Sequence, residues 1–348
     1  MLSHLDPDVH DILLDLEQRL RTVYKAKDAA VCLPLQATGT SGMEAGLSNL
    51  LEPGDTVIVG GSGYFGFRIM DMARRYTDNV VEVRADWGEG VSNEALLAAL
   101  DQHPDARMLA VVHAETSTGV GHPVKELAEA MRGRDTLLMI DAVTSLGAQE
   151  VDFDGWGIDY AYSCTQKALG VPPGMSPIAV SQRALDRFRA RKHPASFSFD
   201  FDLLQDYWNK RPVVYHHTAP ILHIYALYEA LRIILDEGLE QRWARHAEAG
   251  AYLQREVKDR GLELLADPEH QLAQLTAVRV PEGVDGKAVQ NRLLYEHNIE
   301  VGGGLGPQAP AMWRIGLMGY VARREIADRV LAAFDQARSA EPALASAS

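Results

Sequence analysis

Two residues of this chain carry side chains that could do covalent and acid–base chemistry together. The stretch "AYSCTQKALGVPPG", residues 161–174, sets a single lysine, Lys167, between a run of small and polar residues and a turn with two prolines and two glycines. Proline fixes φ and glycine permits sharp turns, so the loop is expected to be stiff. A solvated surface lysine is the ordinary reading; a desolvated amine that attacks an aldehyde is the other. "TLLMIDAVTSLG" ends an apolar run on Asp141, and ligands of open α/β sheets gather at the carboxyl ends of strands. An aspartate there can hold a protonated ring nitrogen in a low-dielectric site. It could equally bind magnesium or cap the next helix.

A lysine for an imine and an acid for a pyridine nitrogen are the pair that pyridoxal phosphate requires. Its phosphate needs a cradle, and "ATGTSGMEAGL" offers Thr38, Gly39 and Thr40 just before a helix whose free N–H groups would face an anion. A plain helix cap is the competing reading, since Thr and Ser cap well. "GGSGYFG" brings Phe65, a ring that could stack on a planar cofactor or pack in the core. "VVHAETSTGV" places His113, Glu115, Thr116, Ser117 and Thr118 at another strand end, where small hydroxyls could hold a phenolic oxygen or the substrate. His113 and Glu115 alternate onto one strand face, but no third metal ligand stands nearby. Adjacent histidines in "YHHT", residues 215–218, point opposite ways on an extended chain. No metal is therefore expected. "PAMWRIGLMGY" sets Arg314 in an apolar strand pattern, either as a bidentate carboxylate clamp or as half of a structural ion pair.

The elements that must carry these groups alternate. Residues 8–25 have helical spacing, with Asp6-Pro7 as entry. An apolar run at 30–35 precedes the Thr/Gly/Ser turn at 38–42 and a helix to about Leu51. "TVIVG", "NVVEVRAD", "RMLAVVHAET", "TLLMIDAV", "GIDYAYSC" and "SPIAVS" read as strands, with helices "YFGFRIMDMARRY", "NEALLAAL" and "VKELAEAMRG" between them. Continuous apolar strands alternating with helices predict a mostly parallel sheet covered on both faces. Residues 200–220 read as aromatic and irregular, followed by one long helical region, 221–261. Strands near 274–280 and 312–317, with helices at 287–297 and 321–336, predict a smaller α/β domain hinged on that long helix. The tail from 339 on is expected to fray.

Composition excludes several classes. The chain has 348 residues and a formal net charge of -14, without a basic stripe, which argues against a nucleic-acid partner. Two cysteines, Cys32 and Cys164, make neither a disulfide framework nor a structural zinc site. No apolar stretch approaches a membrane span, and the acidic start has no export pattern, so a cytoplasmic protein is expected.

The segments "SCTQKALGVPPGMS", "HAETSTGV", "LLMIDAVTSLG", "YHHTAP" and "WRIGLMG" together resemble the class V pyridoxal-phosphate aminotransferases, nearest the alanine–glyoxylate and serine–pyruvate group, over residues 3–336. The resemblance implies the fold type I transferase architecture. A large cofactor-binding domain at 1–235 would hold a mostly parallel seven-stranded sheet, with its N-terminal segment packed across domains or onto the partner subunit. A small C-terminal α/β domain would span 236–340. It further implies that Lys167 bonds the cofactor's aldehyde and shuttles the substrate's α proton, and that Asp141 holds the pyridine nitrogen. Val143 and Phe65 would flank the ring, and Thr116 would lie near its phenolic oxygen. Thr38, Gly39, Thr40 and Gln166 match phosphate contacts, with Thr40 where the family pattern has histidine. Tyr215 and Thr218 match residues that reach the neighbouring subunit's phosphate, implying a homodimer with shared sites. Arg314 matches the clamp for the substrate's α-carboxylate.

The implied reaction is transamination of a small amino acid, alanine or serine, with glyoxylate or pyruvate as acceptor. Alternatives on the same scaffold are a phosphonate aminotransferase, a lyase, or a desulfurase, the last disfavoured because both cysteines read as structural. Family chains usually begin with a Gly-Pro-rich strand upstream of "HLDP", whereas Met1 here lies almost on that element. The expectation that follows is a looser substrate mouth, or at the limit a catalytically weak cofactor-binding subunit.

Overall fold

The computed structural model describes residues 2–192 and 196–339. Helix α1 (Pro7–Tyr24) starts where Asp6 accepts the Asp8 N–H and Pro7 presets the first turn, and it stops at Lys25 in the left-handed region, φ 51°. Its inward residues Val9, Leu13, Leu16 and Leu20 are fully buried.

Strand β1 (Val31–Leu35) leads to α2 (Gly39–Leu50). Then β2 (Thr56–Gly61), α3 (Tyr64–Ala73), β3 (Asn79–Arg84), α4 (Asn93–Gln102) and β4 (Met108–Val112) alternate as the apolar pattern predicts. A small hairpin follows, β5 (Ala114–Glu115) with β6 (Val120–Gly121). Next come α5 (Val124–Ala130), β7 (Leu137–Asp141), α6 (Phe153–Trp156), β8 (Tyr160–Tyr162), β9 (Ser176–Val180) and α7 (Gln182–Arg189). The seven-stranded sheet has the order β1-β9-β8-β7-β4-β2-β3. β9 runs antiparallel to both of its neighbours, and every other pairing is parallel. This is the mostly parallel sheet expected. Its central strands are buried along their whole length because helices cover both faces.

Two expectations about the following region need correction. The aromatic stretch is not irregular throughout: it forms α8 (Phe201–Asn209), capped by Asp200 and burying Phe201, Leu204, Tyr207 and Trp208. The long helical region is broken in two, α9 (Ile221–Glu237) and α10 (Leu239–Asp259). Gly238 between them takes φ 84°, and its N–H closes α9 on Ile234 O and Leu235 O. A residue with no Cβ can turn there, and hydropathy did not show the turn.

The smaller C-terminal α/β domain contains β10 (Leu275–Arg279), α11 (Gly286–His297), β11 (Met312–Gly316) and α12 (Arg324–Ser339), with the two strands antiparallel. A second hydrophobic core, around Leu253, Val257, Trp313 and Phe334, serves these elements. The expected frayed tail falls at 340–348, outside the described residues apart from Ser339. Among the described residues no helix is long and apolar enough to cross a membrane.

Candidate active site

The register of β7 against β8 sets Asp141 opposite Tyr162. Tyr162 Oη donates to Asp141 Oδ2 at 2.6 Å, and the Val143 N–H donates to Oδ1 at 2.8 Å. Asp141 is 3% exposed. Burial is the largest influence on its carboxyl and lifts it to about 7; the two hydrogen bonds and the Lys167 charge oppose this, while the Glu115 charge adds to it. A cation placed against such a carboxyl would favour its ionised form.

After β8 the chain closes a tight loop. Thr165 Oγ1 donates to Pro172 O at 2.7 Å, the Val171 N–H to Thr165 O at 3.0 Å and the Gly170 N–H to Lys167 O at 3.0 Å. Gly170 takes φ 72°, which favours glycine. The loop holds Lys167 half-buried and leaves Gln166 exposed. The Lys167 charge acts on both Asp141 and Cys164, so it shares their surroundings. Burial pushes the Cys164 thiol up to about 12 and raises that of Cys32 as well. Neither thiol is therefore an ionised sulfur acceptor.

Thr38 caps α2, its Oγ1 accepting the Ser41 N–H at 3.3 Å. Gly39 lies so near Cys164 and Val143 that a Cβ would stand 3.2 Å and 3.3 Å from their side chains. The start of α2, Val143 and the Lys167 loop thus form one wall. Thr38 and Thr40 are exposed beside it.

Glu115 has a part that the sequence reading did not give it. Its Oε2 accepts the Phe65 N–H at 3.0 Å and the Gly66 N–H at 3.1 Å; its Oε1 accepts the Ser117 N–H at 2.9 Å and the Ser117 hydroxyl at 2.7 Å. It is a buried cap for α3 that fixes Phe65, and burial raises its carboxyl despite these bonds. Gly63 makes room for it, since a Cβ there would lie 2.7 Å from Glu115 Cγ and 2.4 Å from Ser117 Oγ. His113 goes elsewhere: it meets Gln149 at 2.8 Å and Trp156 edge-on. The pair does not converge on one ligand. β4 ends at Val112 and Glu115 belongs to the separate strand β5, and among the described residues no three His, Cys, Asp or Glu side chains are grouped for a metal ion.

Arg314, on β11, crosses to the large domain. Its Nη1 donates to Thr116 O at 2.9 Å and its Nε to Gly303 O at 2.7 Å. Among the described residues it has no ion-pair partner, so the structural salt bridge considered for it does not form. Desolvation lowers its pKa, opposed by the Glu115 charge. The guanidinium is aimed and half-buried.

Tyr215 and Thr218 lie in the coil after α8, and Thr218 lines a pocket with Leu35 and Gln36. Both are exposed, and Tyr215 Oη lies 3.2 Å from Thr218 Oγ1. The neighbouring histidines do not diverge as an extended chain would require: His216 Nδ1 and His217 Nδ1 are 2.6 Å apart. That segment is coil, which frees the two rings from strand alternation.

An ion network at the domain junction also escaped the sequence reading. Buried Arg242 donates from Nη2 to Ala168 O, next to Lys167, and from Nε to Gly147 O, beyond Asp141, at 2.7 and 2.8 Å. Glu237 pairs with Arg242 at 2.7 Å and with Arg245 at 2.6 Å, and Arg245 Nη1 donates to Gly319 O and Ala322 O after β11. The segments carrying Lys167, Asp141 and Arg314 are tied to one carboxylate. On α10 these arginines look like an ordinary charged helix face.

The donor set suits a flat, protonated nitrogen ring with an anionic arm. A buried acid stands at the sheet end and feels the Lys167 charge, and the glycine-opened start of α2 lies against Val143. The aminotransferase class-V family model matches residues 1–327. The chain is 37% identical over 343 residues to an alanine–glyoxylate aminotransferase of Drosophila melanogaster, covering 97% of this chain and 86% of that one. The crystal structure of an alanine–glyoxylate aminotransferase from Nostoc sp. superposes with a TM-score of 0.92 at 46% identity, covering 97% of this chain and 89% of that one. The ureidoglycine–glyoxylate aminotransferase of Bacillus subtilis superposes with a TM-score of 0.93 at 37% identity, covering 99% and 90%.

Proposed function

The chain belongs to the class-V aminotransferases, and we propose that it is a pyridoxal-phosphate-dependent enzyme that moves the amino group of alanine or serine to glyoxylate or pyruvate. The observation that carries this reading is the half-buried Lys167 beside a buried Asp141 whose carboxyl is lifted to about 7. When bound, pyridoxal phosphate supplies an aldehyde for amine exchange and a protonated ring that draws electrons from the substrate's α carbon. Lys167 Nζ would hold that aldehyde at rest and, once a substrate amine displaces it, take the α proton. Asp141 would keep the proton on the ring nitrogen. Thr38, Gly39, Thr40 and Gln166 would hold the phosphate, Val143 and Phe65 the ring faces, and Thr116 the region of the phenolic oxygen. Arg314, which has no carboxylate partner among the described residues, would grip the substrate's α-carboxylate through paired hydrogen bonds. Tyr215 and Thr218 of the partner subunit would complete the phosphate site in a homodimer. The same reading divides the chain into 1–235 and 236–340, and the separate hydrophobic cores support it.

Glyoxylate is the acceptor named for each of the three relatives described, which favours it over pyruvate. The donor is where those relatives differ, and ureidoglycine is the second reading, supported by the likeness to the Bacillus subtilis structure. Glycine production from glyoxylate, assayed with alanine, serine and ureidoglycine in turn, tests the proposal. Turnover with alanine or serine supports the first reading, and turnover with ureidoglycine alone supports the second. No glycine from any donor, together with no alanine from serine and pyruvate, would overturn both.

A further inference from the structure

We propose that Arg68 is the counter-ion of the cofactor phosphate, an inference that rests on the cofactor reading above. Arg68 lies on the second turn of α3, and its Nη1 donates to Thr40 Oγ1 at 3.0 Å. Its guanidinium carbon stands 4.8 Å from the Tyr64 ring centre and 5.0 Å from that of Phe65. Glu115 in turn pins the Phe65 backbone. Among the described residues Arg68 has no carboxylate partner, and its side-chain hydrogen bond goes to the neutral Thr40 hydroxyl.

Charge decides the matter. A phosphate monoester carries about -1.5 to -2 at neutral pH. The start of a helix offers roughly half a positive charge. The side chains that would touch the phosphate within this chain, those of Thr38, Thr40 and Gln166, are neutral, and Gly39 has none. Lys167 is committed to the aldehyde, while Asp141 and Glu115 add negative charge nearby. The remaining cation is the guanidinium bonded to Thr40. Arginine presents planar paired donors that suit phosphate oxygens. Its place over two aromatic rings holds it at the mouth of the helix end without an acid to neutralise it.

The test compares two aldehydes that differ only in the phosphate. Full-length wild-type and Arg68→Gln chains, stripped of cofactor, are titrated with pyridoxal phosphate and with pyridoxal, and the dissociation constants are read from visible absorbance. Loss of one charge-assisted contact should weaken pyridoxal phosphate by about 10- to 100-fold and pyridoxal by less than about 3-fold. Arg68→Lys should fall between. The pyridoxal affinity doubles as the control for an intact fold. A pyridoxal-phosphate to pyridoxal affinity ratio unchanged by Arg68→Gln would overturn the proposal while leaving the cofactor reading intact. Wild-type chain that forms no borohydride-trapped adduct at Lys167 with either aldehyde would overturn both.

Discussion

The Tyr162 hydroxyl donates to Asp141 Oδ2 across 2.6 Å, between two buried residues paired in register on adjacent parallel strands. The bond favours the ionised carboxyl, yet burial outweighs it and holds Asp141 near 7. The sign for stability follows. With the folded value raised from 3.8 to about 7, the contribution is fully present below 3.8 and lost as pH rises through 7. Asparagine at 141 does not titrate. In cofactor-free protein, Asp141→Asn should therefore gain stability relative to wild type from about pH 4 to pH 7, by at most about 1.4 kcal/mol per pH unit, then level off. His113, His122, His217 and His246, all lowered mainly by burial, destabilise both proteins alike as pH falls, so the difference isolates Asp141. Denaturant melts across this range measure it; a pH-independent difference would contradict the raised carboxyl.

In the proposed reading, Arg314 would offer its remaining donors to a substrate carboxylate. Arg314→Gln should raise KM for both the amino acid and the 2-oxo acid by about 10- to 100-fold, with a smaller effect on kcat. Exchange with a simple primary amine that lacks a carboxylate should be unaffected. Equal losses with both kinds of amine would mean that Arg314 serves the fold alone.

The proposal that two subunits share each site makes a complementation prediction. Lys167→Ala removes the amine, and Tyr215→Phe with Thr218→Ala removes the hydroxyls offered to the neighbour. Each variant alone should be impaired. Mixed dimers should regain activity, because one of their two sites combines a native Lys167 with native hydroxyls from the other chain. If each subunit used its own hydroxyls, mixing would restore nothing.

Arg242 joins carbonyls that follow Lys167 and Asp141. Arg242→Met leaves Ala168 O and Gly147 O without their donors and removes one of two partners from Glu237. The unfolding free energy should fall by about 2–4 kcal/mol, read from denaturant midpoints. Arg242→Lys, which cannot span both carbonyls, should recover only part of it. A loss below about 1 kcal/mol would show that the junction is held by apolar packing.

Much of the layout was legible because the buried strands are unbroken apolar runs. "LLMID" and "YAY" became β7 and β8 where expected, and that placement alone put Asp141 and the Lys167 loop at one sheet end. Strand direction was not legible. β9 is as apolar as its neighbours, and the connection from β8, which forms no crossover helix, brings it back antiparallel. Glu115 read only as half of an incomplete metal pair with His113, because a carboxylate that caps a distant helix leaves no local pattern. Arg242 and Arg245 sat in a charged helix whose inward face could not be told from its outward one. The side-by-side histidines 216 and 217 defied alternation because they lie in coil.

Half-reaction spectroscopy tests the proposed transamination most directly. Protein loaded with pyridoxal phosphate is titrated with alanine or serine while the visible band of the bound aldehyde is followed, and glyoxylate is then added. The predicted result is bleaching by the amino acid and return of the band with glyoxylate, with both steps absent in Lys167→Ala. A visible band that alanine, serine and ureidoglycine all leave unchanged would contradict transamination by this chain.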